Sequence, residues 1–220
     1  MLETIAKLLQ RYGHLFLAGL VKTLEYSALS VCFGVILGAL ICIMRMSKIK
    51  PLSFLCSAFI EVIRGTPILL QLYFFYFALP KIMPFELTDT QSIVAALVIN
   101  CSAYISELIR AGIQAVDPGQ SEAARSLGLS TSQTMKKVVL PQAIKNILPA
   151  LGNEFIMEIK QTSLAATFFL GELMTVSRSI TAATFLSIEP LIIAGTIYFC
   201  LTFTLSKVVG LYEKKVRAGD

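Results

Sequence analysis

The chain has no tryptophan, one histidine, and charged residues at only 15% of its length. His14 alone rules out a multi-histidine metal site. A soluble domain carries about 25% charged residues, so the scarcity argues against a soluble enzyme. No GxxxxGK[ST] run occurs, so the chain lacks a phosphate-cradling loop and the means to hydrolyse ATP. No nucleophile–base pair or metal cluster is visible either, and the chain reads as a non-enzyme. The five cysteines, Cys32, Cys42, Cys56, Cys101 and Cys200, show no CxxC pairing and fall in apolar stretches. They read as small buried hydrophobes, not disulfides or metal ligands. The first fourteen residues have no apolar core, so no cleavable signal is expected.

What is present is apolar. Hydrophobic residues make up 55% of 220 residues, above the ~45–50% of soluble domains. Mean hydropathy is +0.74. This excludes a disordered chain and indicates an integral membrane protein, which the spans below read as all-α. Five stretches approach the ~20 apolar residues needed to cross a bilayer as a helix: 16–44, 52–79, 91–115, 147–170 and 189–211. Residues 1–15 form an amphipathic segment, with Leu2, Ile5, Leu8, Leu9 and Tyr12 at helical spacing, expected along the membrane surface.

The net charge of +5 and pI near 9.0 fit either a nucleic-acid surface or Lys and Arg gathered on cytoplasmic loops. The charge map favours the second. Arg45, Lys48 and Lys50, then Arg125, Lys136, Lys137 and Lys145, then Lys214, Lys215 and Arg217 put ten on one side. Lys7, Arg11, Lys81 and Arg178 put four on the other. The ten-charge side should be cytoplasmic, with the N-terminus outside and the tail, 212–220, inside.

The cytoplasmic loop 116–141 is the most patterned segment. Asp117, Pro118 and Gln120 read as a helix start. Gly128 suits a left-handed stop, and Ser130 with Gln133 repeats the capping-box spacing. A second short helix is expected to run to Leu140, where Pro141 interrupts it. A DNA-binding helix–turn–helix has a similar pattern. Against that reading, spans flank the loop on both sides, basic residues are few, and the completing helix is missing.

Two motifs carry a family resemblance. Glu122-Ala123-Ala124, Gly128 and Val138-Val139-Leu140-Pro141 resemble the EAA signature of ABC-importer permeases, with Val138 where the family has Ile. Phe59 to Pro67, containing Arg64-Gly65-Thr66-Pro67, with Gln71 beyond it, is similar to the RGTP segment of polar amino acid permeases. Asn100, Tyr104 and Glu107, and Lys160 to Leu164, resemble the same family. The resemblance, closest to the glutamine, histidine/arginine and cystine permeases, implies a type I importer fold in a bacterial cytoplasmic (inner) membrane. It implies an ATP-binding cassette ATPase dimer that holds ATP–Mg, a second permease, same or homologous, and an extracytoplasmic amino-acid-binding protein. No cofactor is expected on this chain.

The resemblance assigns Glu122, Ala123, Ala124, Arg125, Gly128 and Pro141 to ATPase coupling; a structural αα-hairpin is the bland alternative. Polar groups within spans default to function because they are costly there. This marks Glu61, Arg64, Thr66, Gln71, Asn100, Tyr104, Gln161, Thr162 and Ser163 as a candidate substrate path, with Glu61 and Arg64 offering one charge of each sign. Glu61–Arg64 and Glu158–Lys160 also fit structural ion pairs, and Glu107 and Arg110 fit snorkelling at the interface. Relatives often carry Asp at the position of Gln161; the neutral residue here mildly favours a glutamine-like substrate. A basic amino acid or cystine, a subunit with no substrate site of its own, a passive channel, and a membrane-tethered regulator remain alternatives. Gly34 and Gly38 add a weak dimerisation signal.

Overall fold

The computed structural model describes residues 1–84 and 86–217, and all regular structure among them is helical. Helix α1 (Leu2–Arg45) is continuous. At about 1.5 Å per residue it is far longer than the ~30 Å bilayer core. The separate surface segment expected over 1–15 is the start of this helix instead. Part of its apolar stripe is covered by protein: Leu8 and Phe16, with Ile5 and Tyr12, pack on Leu173, Ile180, Ile193 and Ala194, while Leu2 and Leu9 stay exposed.

The expected span 52–79 is broken. Helices α2 (Lys50–Gly65) and α3 (Ile68–Ile82) meet at 108°. Proline disfavours helical backbone in the residue before it, and Thr66, before Pro67, is extended at φ −113° and ψ 146°.

Helix α4 (Asp89–Gln114) is the central element, packed against α1, α2, α3 and later α7. A complete capping box starts it: Thr88 Oγ1 accepts from the Gln91 N–H, and the Thr88 N–H donates to Gln91 Oε1. Gly34 and Gly38 let α1 approach it. A Cβ at Gly34 would lie 2.9 Å from Cys101 Sγ, and one at Gly38 2.8 Å from the Ser102 carbonyl oxygen. The Gly-xxx-Gly seam is therefore filled within the chain, by α4, and not left open for a second copy.

Helix α5 (Pro118–Ser126) is capped by Asp117, whose carboxylate accepts from the Gly119 N–H at 2.7 Å. Gly128 follows at φ +87°. Its N–H donates to the Arg125 carbonyl, and the Leu129 N–H to the Ala124 carbonyl, which is the Schellman pattern. Helix α6 (Thr131–Thr134) starts with the Ser130–Gln133 capping box. The expected interruption at Pro141 does not occur. One wide turn, Met135–Val139, carries the chain into α7 (Leu140–Gln161), with the Leu140 N–H bonded to the Met135 carbonyl. The wide turn and the position of Pro141 at the start of α7 accommodate its missing donor.

A tight helical turn, Thr162–Phe168, leads to α8 (Leu173–Thr184) and α9 (Ile188–Arg217). The tail expected from 212 continues α9; residues 218–220 lie outside the described residues. Among the described residues three helices, α1, α4 and α9, are long and apolar enough to cross a membrane, and the bent α2–α3 pair makes a fourth. Helix α7, expected within the span 147–170, falls outside that set: it carries Asn153, Glu154, Glu158 and Lys160. Cys42, Cys56 and Cys101 are buried as expected, whereas Cys32 and Cys200 are exposed on α1 and α9.

Candidate translocation site and coupling loop

The α2–α3 break is built by Pro67. It has no N–H, so the Ile63 carbonyl loses its helical donor. The buried Gln71 supplies a replacement: its Nε2 donates to the Ile63 carbonyl at 2.7 Å and to Thr66 Oγ1 at 2.9 Å. Thr66 Oγ1 donates to the Val62 carbonyl at 2.8 Å. Gln71 Oε1 accepts from Asn100 Nδ2 at 2.9 Å, tying the break to α4. Thr66, Gln71 and Asn100 are thus brought together as expected, but mostly in contact with one another and the backbone. Asn100 Oδ1 is left without a partner.

Glu61 and Arg64 do not pair among the described ion pairs. Arg64 lies over the Tyr104 ring, 5.3 Å from its centroid, a cation–π geometry. Glu61 is exposed and lines an open cleft of about 340 Å³ with Ala58, Val62, Gly65 and Thr66. Tyr104 follows Asn100 by one helical turn, so the stacked pair and the stapled break share a face of α4.

Opposite them, α7 presents Glu154, Glu158 and Gln161 at helical spacing. Glu158 is fully buried. Beyond the Cys101 thiol beside it, neither carboxylate oxygen meets a donor. Gln161 Oε1 is also without a partner. The Arg64 charge acts on Glu154 across the site. Lys160 is exposed and Glu158 buried, so the expected Glu158–Lys160 pair is not formed among the described residues. Thr162 and Ser163 bond back to the Ile159 and Lys160 carbonyls, at 2.8 and 2.6 Å. The sequence reading passed over Glu154 and Glu158 as site residues. Their i, i+4 spacing, continued by Gln161 at i+7, is the signal that marks them.

At the far end Glu107 is not a snorkelling side chain. It accepts from Arg45 of α1 and from Arg110 Nη2 at 2.7 Å, and Arg45 Nε also donates to Ser57 Oγ at 3.1 Å. This cluster clamps α1, α2 and α4 together.

The loop beyond it divides its small residues. Ala124 is buried, while Glu122, Ala123, Arg125 and Gly128 face outward, as does Pro141. Leu127, at the tip, is 84% exposed. Beneath it, Val116, Val139, Ala143 and Ile147 form a local core that fixes the loop to α7.

The geometry has close counterparts in known proteins. Residues 30–218 match the family of binding-protein-dependent transport system inner membrane components. The arginine transport system permease protein ArtQ of Bacillus subtilis is 40% identical over 93% of each chain. The nopaline transport system permease protein NocM of Agrobacterium fabrum is 37% identical over 90% of this chain and 86% of its own. A crystal structure of an amino acid ABC transporter with histidines shares 46% identity and a TM-score of 0.90, over 94% of this chain and 96% of that one. The chain belongs to the binding-protein-dependent transport system inner membrane component family and is a permease subunit of an amino acid ABC importer, with ATP hydrolysis left to a partner ATPase.

Proposed function

We propose that this permease carries a basic amino acid, and that the carrying observation is the acidic α7 face. Glu154 and the buried Glu158 stand against one cation, Arg64, held over Tyr104. A buried carboxylate without a donor is costly. A substrate with one carboxylate and two cationic groups supplies what the site lacks. Arg64 takes the substrate carboxylate; Glu154 and Glu158 take its cations; Tyr104, Asn100 and Gln161 line the route. Thr66 and Gln71 hold the α2–α3 break in position, Glu61 lies at its mouth, and Thr162 and Ser163 close the end of α7. The names of ArtQ, for arginine, and of the transporter solved with histidines agree with this reading. The neutral Gln161, with its unpartnered oxygen, supports the second reading, a glutamine-like substrate.

In the assembly, α7 counts as a fifth span, and the transmembrane domain runs over 16–211. The loop 116–141 and the tail from 212 are cytoplasmic and the N-terminus is outside, in a bacterial inner membrane. Glu122, Ala123, Arg125 and Gly128, around the exposed Leu127, dock on the ATPase, with the exposed Pro141 beside them and the buried Ala124 supporting them from behind. A second permease and an amino-acid-binding protein complete the importer, and ATP–Mg sits at the ATPase. The test is uptake by proteoliposomes holding the permease, its ATPase and its binding protein. Labelled arginine or histidine should be imported, and Glu158→Gln should lower that uptake at least about tenfold, the loss of about 1.4 kcal/mol of interaction. Import of glutamine alone would overturn the basic reading and support the second.

A further inference from the structure

One side chain beside the proposed route has no part in it, the thiol of Cys101. Cys101 of α4 points at the acidic face of α7, and the ligand atoms of Cys101, Glu154 and Glu158 lie within 4.8 Å of one another. Cys101 and Glu158 are fully buried; Glu154 is half-buried and forms the open side. A trio of acids and thiol is not a site by itself. The second observation is Glu158: a carboxylate with no exposure, aimed into the trio, whose oxygens find no donor but the thiol.

From this geometry we infer that Cys101, Glu154 and Glu158 form a binding site for a borderline-soft divalent cation, of which Zn²⁺ and Cd²⁺ are the probes. Zinc accepts sulfur at about 2.3 Å and carboxylate oxygen at about 2.0–2.2 Å, commonly with four ligands. Three ligands are present, and water through the Glu154 side completes the set. Small side-chain movements bring the three atoms to bonding distance. On binding, the thiol releases its proton to solvent and the thiolate bonds the metal. Thiolate selects against Mg²⁺ and Ca²⁺, which take oxygen ligands. Bound metal occupies Glu154 and Glu158 and blocks transport, whichever amino acid is carried.

The experiment uses the permease–ATPase complex with Cys32→Ser and Cys200→Ser, which removes the exposed thiols. Cd²⁺ titration is followed by thiolate–Cd²⁺ ultraviolet absorption and by metal content after desalting. One Cd²⁺ per permease chain is expected. Outer-shell changes alone weaken metal sites about 10–100-fold, so Cys101→Ala should weaken binding at least about tenfold. Cys101→Ala should keep uptake in chelator and lose inhibition by Zn²⁺; excess Mg²⁺ should not displace Cd²⁺. Unchanged Cd²⁺ binding in Cys101→Ala overturns the site. Should that variant fail to assemble, Glu158→Gln gives the same decision by metal content: binding retained at full strength overturns the site, and binding lost supports it.

Discussion

At the residue scale, Gln71 performs a repair. Pro67 frees the Ile63 carbonyl, and Gln71 Nε2 replaces the missing donor while its oxygen holds Asn100. The sequence marked Thr66, Gln71 and Asn100 as candidate substrate-path residues, and the structure brings them together. It did not foresee the contacts they make with one another and with the backbone, because an amide facing a substrate and an amide facing a broken helix have the same sequence appearance. Gln71→Leu should leave the Ile63 carbonyl and Asn100 Nδ2 without their partner. An unpaired buried polar group costs about 1–3 kcal/mol. Thermal unfolding of the detergent-solubilised complex should therefore shift to lower temperature. An unchanged melting temperature would show that the staple contributes nothing. Arg64 follows the same lesson: Glu61 is close in sequence, yet the ring of Tyr104 from another helix takes the guanidinium.

At the scale of elements, the loop 116–141, proposed above to dock on the ATPase, shows how local signals set backbone geometry. Asp117 and Ser130 start its helices, and Gly128 turns the chain between them at φ +87°. These signals are local and legible in the sequence. Two features were not. Ala124 faces the chain and Ala123 faces outward, a distinction set by packing on the turn Met135–Val139. Pro141 continues into α7, because the wide turn before it absorbs the missing hydrogen bond. A left-handed conformation costs a non-glycine residue about 1–2 kcal/mol. Gly128→Val should distort the tip that carries Leu127. Membrane subunits should still assemble, while substrate-stimulated ATP hydrolysis and uptake fall together. Normal uptake with intact ATPase stimulation in that variant would remove the loop from coupling.

At the scale of the molecule, α4 is the post on which the other helices lean. Gly34 and Gly38 admit it to α1, Asn100 joins it to α3, and Glu107 joins it to Arg45 of α1. Helix α9 is different: beyond Ile193 and Ala194, which join the core with α1 and α8, most of its apolar surface is uncovered within the chain. The charge asymmetry of ten against four predicts the orientation of this bundle. In a variant without its five native cysteines, Glu3→Cys should react with an impermeant maleimide from outside intact cells, and Lys215→Cys only after permeabilisation. Equal labelling of both from one side would require an even number of crossings and would refute five.

Composition and motif spacing alone determined the membrane class, the helical content, the capped helices of the loop 116–141 and the family. These depend on transfer free energies and local backbone preferences, which each segment carries by itself. Only the tertiary structure decided which polar groups meet. It bent the 52–79 stretch at Pro67, joined residues 1–15 to the first span, and filled the glycine seam with α4. It also set Glu158 beside Cys101 on a neighbouring helix. Helical periodicity gives the face a side chain occupies but not the helix opposite, and the burial that leaves Glu158 without a donor exists only once α4 and α7 have packed.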